Sequence, residues 1–192
     1  MSDPALAYEE EERKWTYADY KEWELKPGER FELIYGEAYA MAAPNTAHQT
    51  ISMRLSIEIG NFLKGKKCQP FAAPFDVRLF YEEDESDDTV VQPDLVVVCD
   101  PEKLGKEGCR GAPDLVVEIL SPSNSFFEMI RKIELYETAG VRECWIIDPE
   151  HKQMAIYCLV EGKYVLQKFG DKDTVKSEAL PGLEINLEAL FV

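Results

Sequence analysis

Two carboxylates stand at matched places in a short pattern that occurs twice, Pro93-Asp94-Leu95-Val96-Val97-Val98 and Pro113-Asp114-Leu115-Val116-Val117-Glu118. Each copy is a proline followed by a β-branched and aliphatic run, which reads as a strand. Antiparallel pairing about a centre near Lys106 sets Asp94 opposite Glu118, and directly opposed residues share a face about 5 Å apart. Two carboxylates that close repel each other, so they call for a cation, a shared proton or a basic neighbour. Asp114 cannot replace Asp94, because along one strand Asp114 and Glu118 stand roughly 13 Å apart at about 3.3 Å per residue, too far to grip one ion. The plainer reading of both aspartates is that they are polar residues opening a strand. Glu118 resists a plain reading, since it ends a run suited to full burial, where an unpaired carboxylate is costly.

A basic group is available nearby. Beyond Glu118 the chain is predicted to form a helix, on which Glu128, Lys132 and Tyr136 lie four apart on one stripe. A lysine beside two carboxylates and a metal would orient an attacking water or stabilise charge on a phosphate in flight. The alternative is a solvated lysine paired with Glu128. His48 sits in the first turn of an earlier helix, as a packed or capping residue or as a member of the site.

The elements that must position these groups follow from pattern. Thr16 caps a short helix from Tyr17 to about Leu25. Arg30–Tyr35 and Glu37–Ala42 read as a hairpin about Tyr35-Gly36. Ile51, Leu55, Ile59 and Phe62/Leu63 recur at helical spacing over Thr46–Lys64, ended by Gly65. Cys68–Tyr81 is extended and broken by Pro70 and Pro74, and the acidic run Glu82–Asp88 is a solvated loop. The two strands follow, joined by the loop Asp100–Ala112 with its three glycines. Ser121-Pro122-Ser123 then opens a helix to about Ala139, before Gly140. A strand over Glu143–Ile147, a hairpin of Met154–Leu159 and Lys163–Phe169, and a short helix over Asn186–Phe191 complete the chain.

Composition bounds the class. The chain has 192 residues, 45% hydrophobic and 30% charged. That suits one domain over residues 15–192 behind an acidic tail over 1–14. No apolar run reaches membrane-spanning length and Glu9–Glu12 is unlike a secretory signal, so the expectation is a cytoplasmic protein with no membrane partner. Five cysteines, scattered and without a C-x-x-C, indicate no disulfide framework, and two histidines make a zinc site of the usual kind a poor fit. The net charge of −16 opposes a polyanionic partner. The acids are unevenly spread, however. The segment through Glu12 and the run Glu82–Asp88 hold eleven of the 37, leaving 26 against 21 basic residues elsewhere. Charge therefore favours transient or metal-bridged contact with nucleic acid over tight nonspecific binding.

The order helix, extended strand, Val91-Gln92-Pro93-Asp94, Leu115-Val116-Val117-Glu118-Ile119-Leu120-Ser121-Pro122-Ser123, helix, Gly140-Val141-Arg142-Glu143-Cys144-Trp145-Ile146-Ile147-Asp148-Pro149 resembles the PD-(D/E)XK nuclease superfamily and, more narrowly, its Uma-type family of restriction-endonuclease-like proteins. The resemblance covers roughly Tyr17 to Phe169. It implies an α/β fold of the restriction-endonuclease-like kind, a central mixed sheet flanked by helices, here with an N-terminal and a C-terminal hairpin. It implies hydrolysis of DNA phosphodiester bonds with Mg²⁺, for which Mn²⁺ may substitute. Asp94 and Glu118 would be the metal-binding acids and Lys132 the lysine, standing in for the superfamily position two residues past Glu118 that Leu120 occupies. Glu32, in Phe31-Glu32-Leu33-Ile34-Tyr35-Gly36-Glu37, matches a glutamate of the family's opening motif and counts as a further catalytic candidate. His48 and Gln92 are supporting candidates. The rival reading keeps the fold without the chemistry, as a protein-interaction module suited to the −16 charge. A glycosidase is disfavoured: a carboxylate pair with a lysine is metal-site geometry as much as glycosidase geometry, and the family resemblance decides between them. By analogy with the family, a homodimer is expected.

Overall fold

The computed structural model describes residues 14–121 and 126–192, without the side chain of Phe126. The acidic tail expected up to residue 14 therefore lies outside the described residues save for Lys14, as does the expected helix start at Pro122 and Ser123.

Helix α1, Tyr17–Lys21, opens on a capping box in which the Thr16 hydroxyl and the Asp19 carboxylate each accept the other residue's amide. It ends four residues before the expected Leu25. Trp23 turns back onto the rings of Tyr20 and Phe31, with centroids 5.2 and 6.0 Å away, and that packing draws the chain off the helix axis. Strands β1, Phe31–Ile34, and β2, Glu37–Ala40, form the expected hairpin. Its turn has Tyr35 and Gly36 both at positive φ, 52° and 80°, as a two-residue hairpin loop requires. Helix α2, Thr46–Leu63, is capped by Asn45, whose Oδ1 accepts the His48 amide at 2.9 Å, and it buries Ile51, Leu55, Ile59 and Leu63.

Three short strands follow, β3 over Gln69–Ala72, β4 over Val77–Arg78 and β5 over Val90–Val91. Then comes β6, Leu95–Val98. The segment expected as a loop is in part structured: a 3₁₀ turn, Pro101–Lys103, leads into the hairpin β7, Leu104–Gly105, and β8, Gly108–Arg110. Strand β9 is Leu115–Ile119, α3 is Phe126–Ala139 and β10 is Glu143–Asp148. The second hairpin is β11, Gln153–Val160, with β12, Lys163–Phe169. The chain closes with β13, Thr174–Lys176, β14, Glu184–Asn186, and α4, Leu187–Leu190.

The main sheet has the order β12-β11-β10-β9-β6-β3 and is mixed: β9 and β10 are parallel neighbours joined through α3, and every other neighbour is antiparallel. Alternation along β6 and β9 sends Leu95, Val97, Leu115, Val117 and Ile119 into a core with α2. Val96, Val98 and Val116 pack on the other face with Leu135 and Tyr136 of α3. Helices on both faces of a mixed sheet are what the sequence pattern leads one to expect. A second sheet, β2-β1-β5-β4-β8-β7, was not expected. Several of its strands are only two or three residues long, too short to carry a periodicity, and they exist through long-range pairing.

The expectation about cysteines is corrected at one pair. The register Gln69↔Val98 brings Cys68 and Cys99, just outside the two strands, into a disulfide with S–S 2.04 Å. A separation of 31 residues hides this pair from any spacing rule, because only strand register apposes it. In a compartment that keeps thiols reduced, the same register holds two thiols together. Cys109, Cys144 and Cys158 are free and buried, as small core residues are expected to be.

One buried carboxylate belongs to the fold rather than to chemistry. Glu143, fully enclosed at the start of β10, accepts from Trp145 Nε1 at 2.6 Å, Ser177 Oγ at 2.8 Å and the Ala179 amide at 2.6 Å. It thereby ties the C-terminal segment to the main sheet. Glu143→Ala strands three buried donors at once, at about 1–3 kcal/mol for each one left unsatisfied. The expected outcome is a clear fall in the urea midpoint of unfolding, followed by tryptophan fluorescence. A midpoint equal to that of the parent protein would show that Glu143 does not hold the segment.

Candidate active site

Alternation along β9 puts Val116 and Glu118 on the side of α3, and the register Leu95↔Val117, Val96↔Val116 continued by one residue sets Asp94 against Glu118. The antiparallel opposition expected from the repeated pattern is therefore the one the sheet adopts. Asp94 stands immediately before β6 and is held from several directions. Its carbonyl accepts the Ala73 amide at 3.1 Å, its Oδ2 accepts the Ile119 amide at 2.7 Å, and its Oδ1 meets His48 Nε2 at 3.1 Å. His48 comes from the first turn of α2, so a helix N-terminus delivers the imidazole to the end of β6. Its Nδ1 is buried and has no partner among the described residues.

Lys132 is not the solvated helical lysine of the alternative reading. It is 6% exposed, and its Nζ lies 3.1 Å from Glu118 Oε1 and 2.9 Å from the Glu32 carboxylate. One turn further along α3, the Tyr136 hydroxyl donates to the same Glu118 oxygen at 2.5 Å. Glu32 arrives from β1, at the centre of the N-terminal hairpin, and its Oε1 also accepts the Gln92 amide at 2.9 Å. Both sheets thus converge on one ammonium, β9 of the main sheet through Glu118 and β1 of the second through Glu32.

Gln92 extends the network outward. Its Nε2 donates to Asp76 Oδ1 at 2.8 Å and to the Tyr20 hydroxyl at 3.2 Å, while its Oε1 is buried without a partner among the described residues. Burial raises the Asp76 carboxyl above its ordinary range even though Gln92 and Tyr20 hydrogen-bond to it.

The electrostatics follow from burial first. Glu118 is pushed up to about 7 by desolvation; Lys132 opposes that rise, and the negative charges of Glu32 and Asp94 add to it. Burial works against the charged form of Lys132, yet Glu118 and Glu32 outweigh it and hold the ammonium well above the usual lysine range. Burial, with Glu118 beside it, keeps Tyr136 protonated far beyond the ordinary phenol range. The result is one permanent cation held between two carboxylates, with Asp94 a third negative charge beside Glu118, an arrangement short of positive charge. As these side chains stand, no three His, Cys, Asp or Glu among the described residues converge tightly enough to form a metal cage of their own.

All six residues singled out from sequence, Glu32, His48, Gln92, Asp94, Glu118 and Lys132, therefore fall in one contiguous cluster. Asp114 stays out of it: it opens β9, where its Oδ2 accepts the Cys99 amide at 2.7 Å and its Oδ1 pairs with Arg142 at 3.2 Å. Tyr136 and Asp76 belong to the cluster and were not among the candidates. Tyr136 had a signal, its place four residues past Lys132 on the helix stripe. Asp76 had none, since it follows two prolines in an irregular extended segment.

Comparison with known proteins agrees with the fold. A crystal structure described as that of "a putative nuclease belonging to DUF820" from Anabaena variabilis superimposes with a TM-score of 0.74, covering 92% of this chain and 97% of that one at 20% identity, which shows the fold. An uncharacterised protein of Synechocystis is 31% identical over 123 residues, 64% of this chain and 62% of its own length, so the chain spans less than two thirds of that relative. A second from the same organism is 28% identical over 184 residues, 92% of this chain and 93% of its own length. The family model Uma2, described as "Putative restriction endonuclease", matches residues 17–188. With nearly the whole chain matched and a nuclease-like fold around the cluster, this chain belongs to the Uma2 family.

Proposed function

We propose that the chain is a Mg²⁺-dependent endonuclease that hydrolyses phosphodiester bonds of DNA, with Mn²⁺ as an alternative ion. The observation that carries this reading is Lys132 enclosed between Glu118 and Glu32, with the half-buried Asp94 opposing Glu118 across β6 and β9. The donor chemistry fits a hard cation. Carboxylate oxygens suit Mg²⁺, which uses one or two of them and completes its shell with water and phosphate oxygens. Burial drives Glu118 up to about 7 and the negative charges of Glu32 and Asp94 add to the rise, a surplus that such an ion would relieve. Asp94 and Glu118 would hold it. An ion held there would supply a coordinated water of lowered pKa and would draw charge off the phosphate.

The protein's own groups have separable tasks. Lys132, kept charged by its two carboxylate neighbours, cannot serve as a base at neutral pH; it positions Glu118 and places positive charge where a phosphate gains negative charge. Glu32 fixes Lys132, and Gln92 fixes Glu32 through its backbone amide. His48 braces Asp94 through its Nε2, while its buried Nδ1 has no partner among the described residues.

Glu118 must be ionised to bind the ion, and its carboxyl titrates about 7, so affinity rises with pH through that range. Isothermal calorimetry with Mg²⁺ or Mn²⁺ is expected to show binding about tenfold weaker at about pH 6 than at about pH 8. Asp94→Asn is expected to lose most of that binding. Equal binding by the parent and Asp94→Asn would sink the site.

Lys132→Ala should abolish nicking of supercoiled plasmid in Mg²⁺. Because the lysine is buried between two carboxylates, its removal should also cost stability, on the order of 3–5 kcal/mol. The loss is smaller in acid, where Glu118 takes up a proton, and grows as pH rises and that proton leaves. Arg131, whose guanidinium lies 4.6 Å from the centre of the Tyr39 ring, serves as the control, and Arg131→Ala should cleave normally. A Lys132→Ala protein that nicks like its parent would remove the lysine from the mechanism. A parent protein that binds the ion yet cuts nothing would favour the interaction-module reading.

A homodimer is part of the proposal. Strand β12 is the outer strand of the main sheet, with Val165 and Leu166 49% and 42% exposed, and an uncapped apolar edge of this kind pairs readily with a second strand. A second copy offers the same edge about a two-fold axis. Light scattering should give twice the chain mass of 21.9 kDa, and a monomer at every accessible concentration would refute it.

A further inference from the structure

The row of the main sheet that contains Glu118 does not stop there. Register pairs Glu118 with Ile146 on β10, Ile146 with Ala155 on β11, and Ala155 with Lys168 on β12. Directly paired residues share a face, so the row runs from the metal-binding acids across three strand spacings, about 14 Å, to the ammonium of Lys168. The next same-face row runs parallel to it, with Asp148 paired to Gln153 on β11. Together with Leu120, the residues Ile146, Ala155, Lys168, Asp148 and Gln153 of these rows line a cleft of about 380 Å³, within the range of small-ligand sites and beginning one strand away from Glu118.

The lining is chemically sorted. Leu120, Ile146 and Ala155 make an apolar floor, and the small side chain of Ala155 in mid-row leaves the floor low. Lys168 stands at the far wall, exposed and in no ion pair among the described residues, a compact cation on a flexible stem of the kind used to meet a single phosphate. Asp148, the acid at the rim, has its charge taken up within its own turn. Its Oδ1 accepts the amides of Glu150 and His151 at 3.0 Å, and its Oδ2 meets the His151 ring at 2.8 Å.

We propose that this cleft is a subsite for the DNA strand beside the scissile phosphate: the apolar floor takes a neighbouring base or sugar and Lys168 takes the phosphate beyond it. The inference rests on the endonuclease reading, since it assigns the direction in which the bound strand leaves Asp94 and Glu118. A chain of net charge −16 gains little from its overall field in binding DNA, so a strand must be held by local cations such as this one.

The test is fluorescence anisotropy with a labelled single-stranded DNA of about a dozen nucleotides, titrated at several salt concentrations with Ca²⁺ replacing Mg²⁺ to prevent turnover. Lys168→Gln should weaken binding about tenfold, the order of one lost charge-assisted contact. It should also flatten the slope of log affinity against log salt by about 0.7, the signature of one phosphate fewer, which a merely structural lysine would not produce. Lys176→Gln, which alters an exposed lysine paired with Glu184 on the β13–β14 hairpin, should change neither. Ala155→Leu, which raises the floor, should weaken binding with the salt slope intact. Unchanged affinity and slope in Lys168→Gln, with a parent that binds and cleaves, would overturn the subsite and leave the endonuclease reading standing. A flattened slope with a parent that binds but never cleaves would uphold the subsite and overturn cleavage. A parent that does not bind the strand would overturn the subsite.

Discussion

A single ammonium, that of Lys132, is what the two sheets of this protein have in common. It leaves α3 and is enclosed between Glu118 of the main sheet and Glu32 of the second, at 3.1 and 2.9 Å. Burying a charge is expensive unless it is paired and hydrogen-bonded, and the same holds for the two carboxylates. Each partner makes the others tolerable, so the N-terminal hairpin, β9 and α3 are obliged to meet at one point. The cost is recovered in function, because the same mutual dependence makes the groups rigid and leaves their negative charge under-compensated. Tyr136 and Gln92 complete the enclosure, one donating to Glu118 and the other to Glu32.

Both Glu118 and Lys132 titrate above their ordinary ranges, Glu118 chiefly through burial and Lys132 because its two acids outweigh burial, so the one tends to neutrality and the other stays charged. Burial penalises ionisation of both, but the lysine sees two acids and the glutamate sees one lysine and two acids. The carboxyl is therefore poised near neutrality, while the ammonium is fixed. On the proposed reading such a site would suit a divalent cation but could not use its lysine as a base, which would narrow the roles left for His48 and for a coordinated water. The same reasoning separates Glu118 from Glu143. Both are buried strand glutamates, yet Glu143 is satisfied by three donors from its own chain and carries structure, whereas Glu118 faces other charges.

The overall charge of −16 is at first sight the wrong sign for the proposed action on DNA. Its distribution is what matters. Part of the surplus lies in the acidic run ending at Asp88, and Asp87 there is spent on Arg78, which it grips from within the second sheet. Net charge governs long-range steering, whereas a strand lying on the sheet responds to the few groups within a Debye length, about 10 Å at ordinary salt.

Much of this was legible in the order of residues. Two Pro-Asp strands of matched length and a loop of known centre were enough to oppose Asp94 and Glu118, because antiparallel register is arithmetic once the turn is located. Helical periodicity was enough to place Lys132 one turn from Tyr136 and to find Ile51, Leu55, Ile59 and Leu63 on one face of α2. These are local regularities, set by 3.6 residues per turn or by alternation, and they survive in any tertiary context. What the tertiary structure decided was everything that depends on two distant segments meeting. Whether Lys132 turned to solvent or to Glu118 could not be read from the helix alone, since both conformers satisfy the same stripe. The second sheet, the Cys68–Cys99 contact and the entry of Asp76 beside Gln92 rest on pairings across tens of residues, made by strands too short to announce themselves. Those contacts form only because the long elements, once folded, close the loops between them, and a sequence carries no local trace of a loop's closing.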